Sequence, residues 1–236
     1  MTRSFVFVAG LVGRTIWSTC RLVVAWIRRV PERPGSIYEL IPREWARDLL
    51  RSAEIDVRVK GREHLDGVGT CVYCANHTSF VDPGALIGAV PGPVRFVAKR
   101  SLFHVPVFGT ALRLTGQIPV DRANRDAAVD SFAEAGRILR EGVSAAVFVE
   151  GTRSRDGSLQ SFKKGAFVLA ISLQVPCVPV YIVGARALMP HGGFVPRPGT
   201  VEVRIGLPIP TAGLTYEDRD ALRQRCWQAM STLAAG

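Results

Sequence analysis

The chain is short of acidic residues, and its cysteines lack the spacing of a disulfide or metal framework. Only 20 aspartates and glutamates stand against 30 lysines and arginines, which leaves a formal net charge of +10. Such a surplus favours an anionic partner: a nucleic acid, an anionic lipid or a phosphorylated substrate. The five cysteines are odd in number and lie in apolar segments. We therefore expect buried, reduced thiols in a cytosolic setting.

Several motifs that would assign a function directly are also missing. The chain has no P-loop and no dinucleotide-binding glycine pattern, so nucleotide hydrolysis and hydride transfer have no support. Basic residues seldom alternate with aromatic ones, which argues against a nucleic-acid partner. Cys71 and Cys74 have the C-x-x-C spacing, but Val72 and Tyr73 between them are typical of a strand. Residues three apart on a strand point to opposite faces, so we expect no metal site there.

What is present indicates one globular enzyme-sized domain. The 236 residues are 47% hydrophobic and 21% charged, without internal repeats or low-complexity tracts. Predicted strands and helices alternate, which predicts a single α/β domain with a mixed central sheet flanked by helices. We divide the chain into a membrane-associated helix (residues 1–30), a connector (31–53) containing several prolines, and the main domain (54–236).

The N-terminal segment 5–27 is strongly apolar but carries a stripe of arginines. Arg14, Arg21 and Arg28 recur every seven residues, which places them at nearly the same azimuth of a helix. This pattern predicts a helix in the lipid interface, peripheral or monotopic, with its cations toward anionic headgroups. A core helix and a signal peptide are the alternatives. No run of about eighteen uninterrupted apolar residues occurs, which disfavours a simple transmembrane span.

Apolar patterning predicts the remaining elements. The predicted strands and helices are strands at 54–60, 70–75, 94–98, 145–149, 175–183 and 200–205, and helices at 84–90, 126–140 and 163–174, with a C-terminal helix after a capping box of Thr215 and Asp218. Segment 101–115 is either a loop or a short helix that faces lipid. Pro176 and Pro179 predict an edge position or bend for the start of their strand.

His77 and Asp82 are the strongest candidates for a catalytic pair. His77 follows the buried strand 70–75, and ligands of α/β proteins bind where such strands end. Asp82 precedes Pro83 and is predicted to cap the helix that follows. A strand end, a turn and a helix start can bring the two side chains together, so that the carboxylate orients an imidazole acting as a base. Ser79 is a poor nucleophile candidate because no G-x-S-x-G motif occurs.

A second candidate site follows the strand 145–149. Gly151 allows a ligand to approach the backbone closely, and Thr152 and Arg153 offer a hydroxyl and a bidentate guanidinium for a phosphate. Arg122 is a candidate second cation, and Lys99 adds positive charge. The residues Arg155, Lys163 and Lys164 read equally well as a solvated basic surface or as further contacts.

Four sequence blocks together resemble the glycerolipid acyltransferases that use 1-acyl-glycerol 3-phosphate. Segment 76–82 matches the motif N-H-x-x-x-x-D, 99–122 is similar to the second block, and 148–154 matches F-P-E-G-T-R-S except for Val149 in place of proline. Val178-Pro179-Val180-Tyr181 resembles the fourth block. The resemblance spans residues 55 to 205.

The resemblance implies a function and a set of roles. His77 would be the general base and Asp82 its orienting carboxylate. The acceptor phosphate would be bound by a set of residues from the second and third blocks: Glu150, Gly151, Thr152, Arg153 and Arg122. We add Lys99 to this set because of its positive charge. A fatty acyl group would pass from acyl-CoA or acyl-carrier protein, as co-substrate, to a lysophospholipid, giving phosphatidic acid for phospholipid synthesis. No metal or other cofactor would be needed, and the enzyme would sit on the cytoplasmic face of the cell membrane.

Two other functions remain open from the sequence. One is acyl transfer to a different acceptor, such as another lyso-lipid or a glycosylated lipid. The other is a basic, non-catalytic module that binds membranes, which the net charge of +10 permits.

Overall fold

The computed structural model describes residues 2–121 and 135–236 and is organised around one sheet. Its strands are β1 (Ile55–Lys60), β2 (Val72–Ala75), β3 (Val94–Lys99), β4 (Ile118–Val120), β5 (Ser144–Phe148), β6 (Cys177–Val183) and β7 (Gly199–Ile205). They lie in the order β1-β7-β6-β2-β5-β3-β4. Strands β2 to β6 run parallel, β7 is antiparallel to β6, and β1 is parallel to β7. The predicted mixed α/β sheet is confirmed.

Helices cover both faces of this sheet. They are α1 (Thr2–Ile27), α2 (Ile37–Ser52), α3 (Asp82–Ala89), α4 (Phe108–Leu114), α5 (Gly165–Leu173), α6 (Ala185–Leu188) and α7 (Arg219–Ala235), with short 3₁₀ turns at Arg62–Leu65, Arg100–His104 and Tyr216–Asp218. Residues 135–140 are also helical, and the rest of the helix predicted for 126–140 lies outside the described residues. The capping box is confirmed, because the Thr215 backbone N–H donates to the Asp218 carboxylate over 2.7 Å.

The core forms two layers, one on each face of the sheet. Strand β2 shows the division, because Tyr73 and Ala75 pack in one layer while Val72 and Cys74 pack in the other. Cys71 packs in the first layer, so the prediction that Cys71 and Cys74 point to opposite faces is confirmed.

The structure corrects two predictions about chain segments. Residues 37–52 of the predicted connector form α2, a helix with Pro42 in its first turns. The edge position predicted as one alternative for the start of β6 is excluded, because β6 lies inside the sheet between β7 and β2. The other alternative, a bend at its start, stays a prediction. Pro179 is tolerated inside the sheet because its missing N–H falls where the ladder to β7 is interrupted. Its carbonyl instead accepts from the Gly206 N–H over 2.8 Å.

Helix α1 presents an apolar face to the outside and packs on α2 and α4 with the other. Its exposed large apolar residues are Phe5, Val6, Val8, Val12, Ile16, Trp17, Val24, Trp26 and Ile27. Segment Ser4–Ile27 is long and apolar enough to cross a membrane by length and composition, with a mean hydropathy of 1.3, and only 11% of it is buried. Cys20 is exposed on this helix, contrary to the expectation that all five cysteines are buried.

The arginine stripe does not form the outward face of α1. Arg21 binds Glu44 of α2 over 2.6 Å, and Arg14 is half-buried at a groove beside residues 52–54. The stripe therefore lies largely on the flank toward the protein, because the carboxylate that neutralises Arg21 stands on the neighbouring helix. The ion pair with Glu44 contradicts the prediction for Arg21, whereas Arg28 is exposed and the headgroup contact predicted for Arg14 and Arg28 stays a prediction.

Candidate active site

The predicted catalytic residues meet residues 150–153, here called the phosphate loop, at one edge of the sheet. Strands β2 and β5 are parallel neighbours, and Ala75 pairs with Phe148 at their carboxyl ends. His77 and Glu150 therefore leave adjacent strand ends side by side. The contact is direct, since the Ser154 N–H donates to the His77 carbonyl over 2.8 Å.

His77 and Asp82 form the predicted pair. The His77 Nδ1 lies 2.8 Å from the Asp82 Oδ2, and the carboxylate is fully buried whereas the imidazole retains 13% exposure. An ionised carboxylate only accepts hydrogen bonds, so Nδ1 carries the proton and Nε2 is left as an acceptor. An imidazole in this tautomer can take a proton from a substrate hydroxyl.

Asp82 is oriented by its own turn. Its Oδ2 also accepts from the backbone N–H groups of Thr78, over 2.6 Å, and Ser79, over 2.8 Å. The carboxylate thus folds back onto residues 77–79, and Asp82 is the first residue of α3. The prediction that Asp82 caps this helix was wrong, because Val81 occupies the cap position and no side chain bonds there.

Ser79 is held in the interior of the same turn. It has 0% exposure, and its hydroxyl donates to the Met189 carbonyl over 2.9 Å while accepting from the Val81 N–H over 3.2 Å. Its hydroxyl therefore stabilises the turn, in agreement with the expectation that it is a poor nucleophile.

Glu150 holds the backbone around His77 by accepting two hydrogen bonds. Its Oε1 accepts from the His77 N–H over 3.0 Å, and its Oε2 accepts from the Gln160 N–H over 3.3 Å. The side chain is 3% exposed, and burial raises the pKa of Glu150 to about 7 although both N–H groups act in the opposite direction. With both oxygens used in this way, Glu150 connects the His77 turn to the loop before α5.

An aromatic stack fixes the plane of the imidazole. The His77 ring lies on the Phe148 ring with centroids 4.1 Å apart and planes 18° apart, and Phe96 lies 6.1 Å beyond Phe148. Together with the bond to Asp82, this stack leaves the ring little freedom to rotate.

The site opens into a cavity of about 920 Å³ with two unlike ends. The polar end is lined by His77, Lys99, Glu150, Gly151, Thr152, Arg153, Gln160 and Lys163. The apolar end is lined by Leu22, Ile41, Trp45, Phe108, Ala111 and Leu112, which come from α1, α2 and α4. A cavity of this size and composition is typical of a binding site for a largely apolar ligand with a polar head.

The polar end carries positive charge that no carboxylate in the described part of the chain pairs with. Among the described residues, Lys99, Arg153 and Lys163 have no carboxylate within ion-pair distance. The Arg153 guanidinium lies over the Phe80 ring, 3.8 Å from its centroid. Gly151, at φ 77°, turns the backbone beside these side chains. Such a cluster suits a phosphate group.

Comparison with known proteins assigns a family to this site. Residues 56–183 match the family model named Acyltransferase, which is more than half of the chain. The chain belongs to the acyltransferase family. The matched region of this acyltransferase contains both His77 and Asp82 and the whole loop 150–153.

Individual relatives agree with this assignment. The acyltransferase is 37% identical over 153 residues to the chloroplastic 1-acyl-sn-glycerol-3-phosphate acyltransferase BAT2 of Brassica napus, covering 64% of this chain and 44% of that protein. It is 35% identical over 175 residues to 1-acyl-sn-glycerol-3-phosphate acyltransferase beta of Homo sapiens, covering 74% and 63%. The chain thus spans about half the length of the first of these relatives and less than two thirds of the second.

A solved structure shares the whole architecture of this acyltransferase. The 1-acyl-sn-glycerophosphate (LPA) acyltransferase PlsC of Thermotoga maritima superposes with a TM-score of 0.71 at 26% identity, covering 94% of this chain and 95% of that one.

The structure brings together most of the residues that the sequence predicted for the site. His77, Asp82, Lys99 and residues 150–153 lie together as predicted, and Arg122 lies outside the described residues. The imidazole-stacking role of Phe148 and the packing of Phe80 under Arg153 were missed. Neither has a spacing signal, because both contacts join residues that are far apart in the sequence and meet only in the folded chain.

Proposed function

We propose that the protein transfers a fatty acyl group from acyl-CoA or acyl-carrier protein to the free hydroxyl of 1-acyl-glycerol 3-phosphate, giving phosphatidic acid. The observation that carries this proposal is the cavity. It joins an oriented imidazole, three cations free of carboxylate partners among the described residues, and an apolar chamber. The names of the relatives support the same acceptor.

The proposed chemistry runs without a covalent enzyme intermediate. The Nε2 of His77 takes the proton of the acceptor hydroxyl, and the oxygen attacks the thioester carbonyl. The C–S bond then breaks, and the imidazolium returns the proton to the leaving thiolate. Asp82 stabilises the imidazolium over the 2.8 Å contact. No metal or other cofactor takes part in this proposal, because a thioester is already activated toward attack.

The substrates are proposed to lie along the cavity in a fixed direction. The acceptor phosphate binds Arg153, Lys99, the backbone of Gly151 and the hydroxyl of Thr152, with Arg122 as a further predicted contact. Glu150 contributes by holding the backbone of His77. The acyl chain of the donor occupies the apolar end, where its methylene groups leave water.

The setting proposed for this reaction is the cytoplasmic face of the cell membrane. The outward face of α1 is apolar, and an apolar cavity end lies directly behind this helix. A lipid substrate can then reach the site without crossing water. The five free cysteines agree with a reducing compartment.

A panel of acceptors tests the proposal. The full-length protein in mixed micelles is incubated with palmitoyl-CoA and either 1-acyl-glycerol 3-phosphate, another lysophospholipid, glycerol 3-phosphate, a glycosylated lipid or no acceptor. Release of free thiol is followed together with the acylated product. We expect thiol release that depends on the acceptor and is fastest with 1-acyl-glycerol 3-phosphate. Faster acylation of another acceptor would show that this other lipid is the substrate. If thiol release did not depend on any acceptor, with either CoA or carrier-protein donors, the enzyme function would be contradicted.

A further inference from the structure

Two adjacent lysines at the start of α5 have different surroundings. The Lys164 Nζ pairs with the Asp220 carboxylate of α7 over 2.9 Å and points away from the cavity lining. Lys163 lines the polar end together with His77 and Arg153 and has no carboxylate partner among the residues that the structure describes. Neighbouring residues of identical chemistry thus separate into an ion-paired lysine and one whose charge is available to a ligand.

Lys163 is attached to the phosphate loop at two points. Its backbone N–H donates to the Val149 carbonyl over 2.7 Å. Its side-chain stem passes over Gly151, such that a Cβ on this glycine would lie 3.2 Å from the Lys163 Cγ and 3.6 Å from its Cε. The ammonium group is therefore carried to the same loop that presents Arg153.

We propose that Lys163 is a binding residue for the phosphate monoester of the acceptor. It acts with Arg153 and Lys99, and the inference rests on the proposed function. A phosphate monoester carries up to two negative charges and three acceptor oxygens, more than one guanidinium fork can satisfy. A lysine adds a compact charge with three donors that rotate to the remaining oxygens.

The neighbouring carboxylate does not compete for this ammonium group. Glu150 lies in the same loop, but both of its oxygens accept backbone N–H groups, from His77 and Gln160, and its side chain is buried. Removal of the Lys163 charge should therefore weaken a phosphate ligand without releasing a buried partner inside the protein.

The test compares Lys163→Gln with the matched control Lys164→Gln in the full-length protein. Equilibrium binding of 1-acyl-glycerol 3-phosphate and of 1-acyl-glycerol, which lacks the phosphate, is measured in the same micelles. Michaelis constants are measured for acceptor and donor. We expect Lys163→Gln to weaken binding of the phosphorylated ligand and to raise its KM about fivefold to tenfold, the scale of one typical net hydrogen bond. Binding of 1-acyl-glycerol and the donor KM should stay unchanged.

The control variants separate this role from loss of structure. Lys164→Gln should bind the phosphorylated ligand within about twofold of the original protein, since an exposed ion pair contributes little. Lys163→Arg should restore most of the lost affinity. If Lys163→Gln kept the full preference for the phosphorylated ligand, or raised only the donor KM, the inference would be overturned while the proposed function stood. If the unchanged protein did not prefer the phosphorylated ligand, the proposed acceptor would fail as well.

Discussion

The two ends of the cavity are built by different means. At the polar end, loops leaving β2 and β5 are joined by backbone hydrogen bonds, such as Ser154 N–H to the His77 carbonyl at 2.8 Å. At the apolar end, α1, α2 and α4 meet through side chains, with Leu22 and Ile41 each 1% exposed. The polar end is thus fixed by the sheet, while the apolar end depends on helix packing.

This difference follows from what each end must do. General-base chemistry requires an imidazole held within a few tenths of an ångström, and the bonds from Asp82, Glu150 and the Phe148 stack provide this. An apolar chain needs only a dry volume of suitable length. We therefore expect substitutions at the polar end to change the rate and substitutions at the apolar end to change the choice of lipid.

The largest effect should come from removing the imidazole. His77→Ala is expected to lower kcat about a hundredfold to ten-thousandfold, the range observed for general bases, with little change in acceptor binding. Turnover and equilibrium binding of 1-acyl-glycerol 3-phosphate are measured on the same preparation, with thermal unfolding as the control for folding. Near-normal turnover would show that His77 is not the general base. The expectation that the polar end sets the rate while the apolar end sets the choice of lipid would then fail as well.

The next largest effect concerns the outward face of α1, the helix whose other side lines the apolar end. Replacing Val12, Ile16 and Trp17 with serine removes exposed apolar area from the outward face of α1. Burying one large apolar side chain is worth about 1.5–3 kcal/mol, so partial burial of three predicts about a tenfold to hundredfold loss of vesicle binding. Co-sedimentation with anionic and neutral vesicles measures it. Leu207→Ser, at a residue 69% exposed outside α1, is the matched control.

Vesicle binding that does not change in the triple variant would show that this face does not contact lipid. The same assay also tests the arginines. Because Arg21 is neutralised by Glu44, Arg21→Gln should change the preference for anionic over neutral vesicles only slightly.

The sequence predicted the polar end better than the apolar end. His77, Asp82 and the loop 150–153 were found because strand ends of a parallel sheet meet at one edge, so a short motif after each strand locates a site. The helix α2 was missed because Pro42 was taken as a sign of a connector, although a helix can continue past a proline at the cost of one i→i−4 hydrogen bond, here the one to the Tyr38 carbonyl.

The orientation of α1 was missed for a different reason. A periodic arginine stripe fixes the azimuth of the cations but does not say which azimuth faces the protein. That choice depends on Glu44, a carboxylate on another helix. Pairings between distant residues of this kind leave no local pattern in the sequence.

A smaller effect should show how long an acyl chain the apolar end of the cavity can hold. Ala111 of α4 is half-buried and lines the cavity near Leu22 and Ile41. Ala111→Phe should fill this end and lower kcat/KM for palmitoyl-CoA about fourfold to fifteenfold relative to octanoyl-CoA, since each of one or two excluded methylene groups is worth about 0.8 kcal/mol. An equal fall for both donors would indicate damage to the site, and a shift in the acceptor's chain preference would show that the acceptor occupies this end.

The smallest effect tests a contact that bridges the catalytic turn and the phosphate loop. Phe80, at 53% exposure, supports the Arg153 guanidinium 3.8 Å from its ring centroid. An exposed cation–π contact is worth about 0.5–1 kcal/mol, so Phe80→Leu should raise the acceptor KM about twofold to fivefold and leave kcat and the donor KM unchanged. Phe80→Tyr keeps the ring and should behave like the original protein. If Phe80→Leu lowered kcat instead, the ring would be supporting the His77 turn, because only loss of the base's position slows the chemical step.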